Sequence, residues 1–247
     1  MDVSSYVLLS HEQALRRRMD VVANNMANVS TTGFKREQPV FHELVERSAG
    51  EAAAGRDVSF VLDRGAAHDT REGAFLATGN PLDVAVLGRG YLSVALPDGG
   101  TAYTRAGNLK LLDDGRLGTA GGLPVLGDNG APITVPAEAA GRLSIGEDGT
   151  VNGPDGPIGR IVVTRFGDEA ALSQRGDGLF DGTGGQLLAP AETRIKSGGL
   201  EGSNVQPIVE TTHMVEILRS YQTSQRLSDG IHDMRKRAIE RLGRLGN

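Results

Sequence analysis

Hydrophobic residues recur with two different periods along the chain, and the change of period lays out the architecture. From Val3 to Asn28 the spacing is helical. Leu8, Leu15 and Val22 recur every seven residues, and Leu15, Met19, Val22 and Met26 follow at steps of four, three and four. Gly33 closes this helix. A second helix is predicted from about Val205 to Leu242. Met214, Leu218 and Tyr221 share one face, Gln225 and Ser228 interrupt it, and Leu227, Ile231, Met234 and Ala238 resume it one face over. Ser203 or Asn204 is placed to cap that helix, with Pro207 tolerated in its first turn. Gly230 inside it costs about 1 kcal/mol relative to Ala.

Between the helices the period falls to two. Leu82, Val84 and Val86 alternate with other residues, as do Leu92, Val94 and Leu96. The pairs Leu109 and Leu111, Leu143 and Ile145, and Ile161 and Val163 repeat the pattern. Turn dipeptides punctuate these runs: Asp98-Gly99, Asp114-Gly115, Asn129-Gly130, Asp148-Gly149, Asn152-Gly153, Asp155-Gly156, Asp177-Gly178 and Asp181-Gly182. Such pairs favour tight hairpins because both positions tolerate positive φ. The chain is therefore predicted to be mainly β. A central antiparallel β domain (75–196) is flanked by N- and C-terminal α-helices that pair as a coiled coil. Residues 36–74 form an extended connector, within which Ser48 to Ser59 is small, polar and mobile. A pair of helices of this length is marginal alone, which suggests ends that order on assembly.

Composition sharpens this picture. Glycine makes up 35 of 247 residues, so turns and short strands dominate over a helical body. A formal net charge of −5 argues against nucleic acid or an anionic membrane as partner. With no cysteine there is neither a disulfide framework nor a thiolate metal site. No apolar run approaches the roughly 20 residues of a membrane span, so no membrane insertion is expected. The N-terminus is not expected to be a cleaved signal peptide, because its apolar run is only Tyr6 to Leu9 and Arg16, Arg17 and Arg18 follow it.

The search for chemistry nominates no reaction. His11-Glu12 opens like a zinc-protease motif, but Leu15 stands where the second histidine is needed. Gly88-Arg89-Gly90 is a turn between strands, not a phosphate-binding loop. Asp113, Asp114, Asp148 and Asp155 fit turn dipeptides, not a calcium loop. Arg175-Gly176-Asp177 abuts a glycine-rich turn, and Asn28-Val29-Ser30 is a common chance match to a glycosylation acceptor. Arg16 to Arg18 read as a solvated helix face within reach of Glu12 and Asp20. No catalytic residue, cofactor or metal ligand is assigned.

Four ordered stretches carry a resemblance. Asn24-Asn25-Met26-Ala27-Asn28 followed by Thr32-Gly33-Phe34-Lys35 resembles the helix end and break of the bacterial flagellar rod and hook family. Thr78 to Val86 resembles the family's GNPLDVAV strand. Tyr103 to Leu109 resembles its YTR-x-G segment. Gly202-Ser203-Asn204-Val205 with Met214, Arg219 and Tyr221 resembles its C-terminal helix. Within the family, Ser197 to Val205 and Arg175 to Phe180 are most like the proximal-rod subtype, with the distal rod as near alternative.

The resemblance implies a structural subunit of the rod, the drive shaft across the periplasm. It implies export through the flagellar type III apparatus without a cleaved signal. Its implied partners are other rod proteins and copies of itself. It further implies that residues 1–35 and 197–247 are the two helical parts of an inner-core domain. The assembly surface expected from residues and resemblance together comprises Leu8, Leu15, Met19, Val22, Asn24, Asn25, Met26, Asn28, Gly33, Phe34, Ser203, Asn204, Val205, Met214, Leu218, Tyr221 and Ile231. The three asparagines would cap the helix end and bond to backbone, Gly33 would allow a sharp exit and Phe34 would anchor it. Set against this is a soluble β-rich ligand-binding module with a helical stalk, which the scarcity of aromatics (4%) disfavours.

Overall fold

The computed structural model describes residues 3–46, 58–169 and 172–245. The chain divides into two compact units. The first comprises Met1–Met26, Glu37–Ala66 and Gln206–Asn247, and the second comprises Ala27–Arg36 and Ala67–Val205.

The first unit is built on the two terminal helices, α1 (Val3–Ala27) and α2 (Pro207–Leu245). At 1.5 Å per residue they are roughly 37 and 58 Å long. Their contacts run in opposite directions. Asn25, near the end of α1, donates to Glu210, near the start of α2, at 3.4 Å. Ser224, further along α2, donates to Glu12, earlier in α1, at 3.4 Å. The helices are therefore antiparallel. Leu15, Val22 and Ile217 are buried between them, with Met19, Met214 and Tyr221 packed around. The seven-residue spacing of α1 thus does mark the face it turns toward α2.

On α2 the buried face differs from the expected one. Met214, Ile217, Tyr221 and Ser224 line it, whereas Leu218 is 47% exposed, and Leu227 and Met234 are exposed too. Steps of three, four and three keep one line along a helix, while a single added residue turns about 100° away from it. The polar Ser224 belongs to this face because it is small and spends its hydroxyl on Glu12. The expected caps also differ. The first helical bond runs from the Glu210 N–H to the Gln206 carbonyl, with Pro207 in the first turn. The Ser203 hydroxyl accepts from Val205, and Asn204 turns to other segments.

Within 36–74 the described residues include two strands. β1 (Glu37–Glu46) and β2 (Val58–His68) form a two-stranded sheet, and Asp63 of β2 pairs with Arg17 of α1 at 3.1 Å. Of the stretch expected to be mobile, Ser48 to Asp57 lies outside the described residues, and Val58 and Ser59 begin β2.

The described residues of the second unit hold fifteen short strands. They are β3 (Phe75–Ala77), β4 (Val84–Val86), β5 (Tyr91–Ala95), β6 (Thr101–Thr104), β7 (Leu109–Leu111), β8 (Leu117–Thr119), β9 (Ser144–Ile145), β10 (Thr150–Gly153), β11 (Gly156–Arg160), β12 (Val163–Arg165), β13 (Ser173–Gly176), β14 (Leu179–Asp181), β15 (Gln186–Leu187), β16 (Ile195–Ser197) and β17 (Gly199–Glu201). The largest sheet has the order β13-β14-β6-β5-β12-β15, and all its pairings are antiparallel. The main core gathers Val84, Leu92, Val94, Leu117, Val125, Val151, Ile161 and Val163. A second cluster of Tyr91, Phe166, Leu172 and Phe180 explains why β5 is buried on successive residues and not on alternate ones. The two cores take opposite sides of its pleat.

Six of the eight turn dipeptides place their glycine at positive φ, the exceptions being Gly153 in β10 and Gly182 after β14. At Asp98, Asp114, Asn129 and Asp148 the side-chain oxygen accepts the backbone N–H two residues on, at 2.9 to 3.0 Å. This local bond is the reason for Asx at the position before glycine.

Candidate functional site

The quoted motifs converge inside the second unit. The break after α1 turns at Gly33 (φ +69°), whose N–H donates to the Glu201 carbonyl at 2.8 Å. A Cβ there would lie 2.5 Å from the Arg105 carbonyl carbon, so no other residue fits the turn. Phe34 follows, buried, and Lys35 points inward at 1% exposure.

Lys35, Arg105 and Glu201 form a buried ionic triad. Lys35 Nζ donates to Glu201 Oε1 at 2.7 Å and to the Arg71 carbonyl at 2.8 Å. Arg105 donates to Glu201 Oε2 at 3.2 Å, to the Val86 carbonyl at 3.0 Å and to the Gly88 carbonyl at 2.7 Å. Its guanidinium lies 5.1 Å from the Tyr91 ring centre. Glu201 Oε1 also accepts the Gly73 N–H at 3.0 Å. Burial pushes the Lys35 ammonium below its ordinary range, and Glu201 opposes that shift. One carboxylate thus serves two buried cations, and carbonyls take up further donors.

Two more motif residues reinforce the junction. Asn204 Oδ1 accepts the Arg36 N–H at 2.7 Å, and its Nδ2 donates to the Asp69 and Arg71 carbonyls at 2.8 and 2.9 Å. One amide thereby fastens three chain segments. Asp83 accepts from Thr78 Oγ1 at 2.6 Å and Asn80 Nδ2 at 2.9 Å, and its own carbonyl accepts the Gly198 N–H at 2.9 Å. Thr78-Gly79-Asn80-Pro81-Leu82-Asp83 is therefore a self-bonded turn that docks β4 beside β16.

The first unit has its own counterpart. Asn25 is fully buried, accepts the Glu37 N–H at 2.8 Å and donates to the Glu37 carbonyl at 2.9 Å. It thus ties the end of α1 to the start of β1, and through Glu210 to α2. Asn25→Ala leaves buried groups unpaired and is expected to cost about 1 to 3 kcal/mol. Urea unfolding followed at the helical signal checks this.

Glu169 stands apart. It is 5% exposed and neither carboxylate oxygen has a hydrogen-bond partner among the described residues. Burial raises its pKa, opposed at longer range by Arg105, Arg89, Lys35 and Arg165. A raised folded-state value means that its contribution is present at acid pH and is lost as pH rises through that value. Glu169→Gln should therefore raise the melting temperature at neutral pH, with the gain vanishing at acid pH.

The expected assembly residues divide by burial. Leu15, Val22, Asn25, Gly33, Phe34 and Val205 are buried. Leu8, Met19, Asn24, Met26, Asn28, Ser203, Asn204, Met214, Tyr221 and Ile231 are half-buried, and Leu218 is exposed. Asn28 Oδ1 accepts the Thr31 hydroxyl at 3.1 Å. Sequence reasoning missed Ile217 and gave no role to Lys35, Arg105 and Glu201. The available signal was a lone charge inside each otherwise neutral motif string.

Three family models match the chain in order: "Flagella basal body rod protein" over residues 6–35, "Flagellar hook protein FlgE/F/G D1 domain" over 85–153, and "Flagellar basal body rod FlgEFG protein C-terminal" over 196–241. The chain is 37% identical to the flagellar basal-body rod protein FlgF of Caulobacter vibrioides, over 99% of this chain and 100% of that protein. It is 33% identical to FlgF of Salmonella typhimurium over 98% of this chain and 99% of that one. With the rod protein FlgG of Bacillus subtilis it shares 34% identity over 91% and 93% of the two chains. Similarity that runs through the ionic triad, the asparagine ties and both helices places the chain in the flagellar basal-body rod protein family, as a structural rod subunit and not an enzyme.

Proposed function

We propose that this subunit occupies the proximal rod and polymerises through the outward faces of its terminal helices. In this reading residues 1–35 and 197–247 form the inner-core domain, where helices of successive subunits pack as coiled coils. Residues 36–74 link them to the β domain of 75–196. The subunit acts in the periplasm as part of the torque-transmitting shaft and reaches it through the flagellar type III export apparatus without a cleaved signal. The full-length similarity to FlgF proteins supports the proximal position, and the similarity to FlgG makes the distal rod the second reading.

The observation that carries the polymerisation reading is the apolar surface left on α2. Ile208 (82% exposed), Val215 and Leu218 are exposed and lie off the face turned to α1. Solvent-facing apolar side chains along one helix face suit a partner helix. Inner residues such as Leu15, Val22 and Ile217 then hold the pair together, while the outer ones meet neighbours. Contacts that differ on the two sides of a subunit propagate as a helix.

The test is a double substitution, Ile208→Asp with Leu218→Asp. It is expected to leave the melting temperature nearly unchanged, as exposed substitutions do, and to abolish rod assembly and swimming. Normal swimming in the variant contradicts the reading.

A further inference from the structure

We infer that Asp177 is a site of spontaneous backbone isomerisation, set apart by the fold from the Asp-Gly turns at Asp98, Asp114 and Asp148. The reaction requires the nitrogen of the following glycine to be free to attack the aspartate side chain. At Asp98, Asp114 and Asp148 it is not. Gly99, Gly115 and Gly149 donate their N–H groups to the carbonyls of Leu96, Leu112 and Gly146. The three carboxylates are themselves held, by the N–H groups of Gly100, Arg116 and Thr150. Asp155 precedes Gly156, which is paired with Gly153 in the β10–β11 hairpin.

The Asp177-Gly178 turn is different. It joins β13 to β14, with Gly176 paired to Leu179 across it. Asp177 has φ +50°, the one non-glycine residue at positive φ among the described residues, and Gly178 follows at φ +71°. Two successive positive φ values describe a type I′ turn, whose second central N–H points away from the hairpin ladder. Among the described residues the Gly178 N–H has no backbone acceptor, and the exposed Asp177 carboxylate has no hydrogen bond or ion pair.

The step balances within the chain and water. Gly178 N bonds to Asp177 Cγ, the carboxyl C–O bond breaks, and one water leaves to give a succinimide. Water then adds to the main-chain carbonyl carbon of Asp177 and the bond from that carbon to Gly178 N breaks. The chain now runs through Cβ and Cγ, with an α-carboxylate at the side. Composition is unchanged, but the two-residue turn gains a backbone atom and the Gly176–Leu179 register of the sheet's edge hairpin is lost.

The test is incubation of the full chain at neutral pH and physiological temperature, followed by peptide mapping with electron-transfer fragmentation, which distinguishes the isomer. Isoaspartate is expected to accumulate at Asp177 several-fold faster than at Asp98, Asp114 or Asp148. In concentrated guanidinium chloride the four rates should converge. Equal rates in the folded chain, or none at Asp177, overturn the inference. A second variant compares like with like: Asp177→Asn should deamidate faster than Asn129, whose Gly130 N–H is held by the Gly127 carbonyl. Slower deamidation at 177 than at 129 in that variant also overturns it.

Discussion

Replacing Glu201 with alanine is expected to destabilise the second unit by about 3 to 5 kcal/mol, the cost of leaving buried charge without its counterion. Among the described residues Glu201 is the single carboxylate in direct contact with both Lys35 and Arg105, and all three are 3% exposed or less. Removing it leaves two cations with carbonyls and, for Arg105, the Tyr91 ring in place of a counterion, and also frees the Gly73 N–H. Lys35→Met should cost less, because Arg105 and Glu201 remain as a matched pair. The ordering of the two variants in urea unfolding, followed by the circular dichroism of the β unit, is the informative result. Equal losses would mean that packing around Lys35, and not charge balance, holds the junction.

Ile217→Ala is expected to cost about 2 to 5 kcal/mol in the helical unit, as for other buried aliphatic truncations. Ile217 is 2% exposed and completes the cluster of Leu15 and Val22. The pair has little other core, since Met19, Met214 and Tyr221 are only half-buried, so the cavity cannot be filled from nearby. Leu218→Ala, one residue on, should change stability by less than about 0.5 kcal/mol. Amide exchange reads the contrast: α1 and α2 should lose protection in the first variant and keep it in the second.

The pattern of the two helices was legible because α1 carries its apolar residues at a strict spacing, and its bounds match the periodicity to within a residue. The face of α2 was not, because Ser224 and Ser228 break the apolar run while staying on the buried side, and exposed apolar residues such as Leu227 and Met234 imitate a continuation. Turn dipeptides located six hairpin turns correctly, since the requirement they report is local. The β1–β2 sheet escaped notice because Glu37 to Glu46 shows no clean alternation. Most telling is the junction. Each motif was readable as a string, but the pairing of Lys35 with Glu201, 166 residues apart, depends on the fold. Asn25, expected to cap the helix end and bond to backbone, does bond the Glu37 backbone, while Asn204, expected as a cap of α2, bonds the backbone of Arg36, Asp69 and Arg71.

The measurement that most directly tests the account is photo-crosslinking in intact basal bodies, with a photoreactive residue placed at position 218 or at position 217. If the outward face of α2 makes the rod, position 218 captures a neighbouring subunit and position 217 captures only α1 of its own chain. Capture of a neighbour from position 217, with none from 218, would mean that the helix pair opens on assembly and that the inner face is the polymer contact.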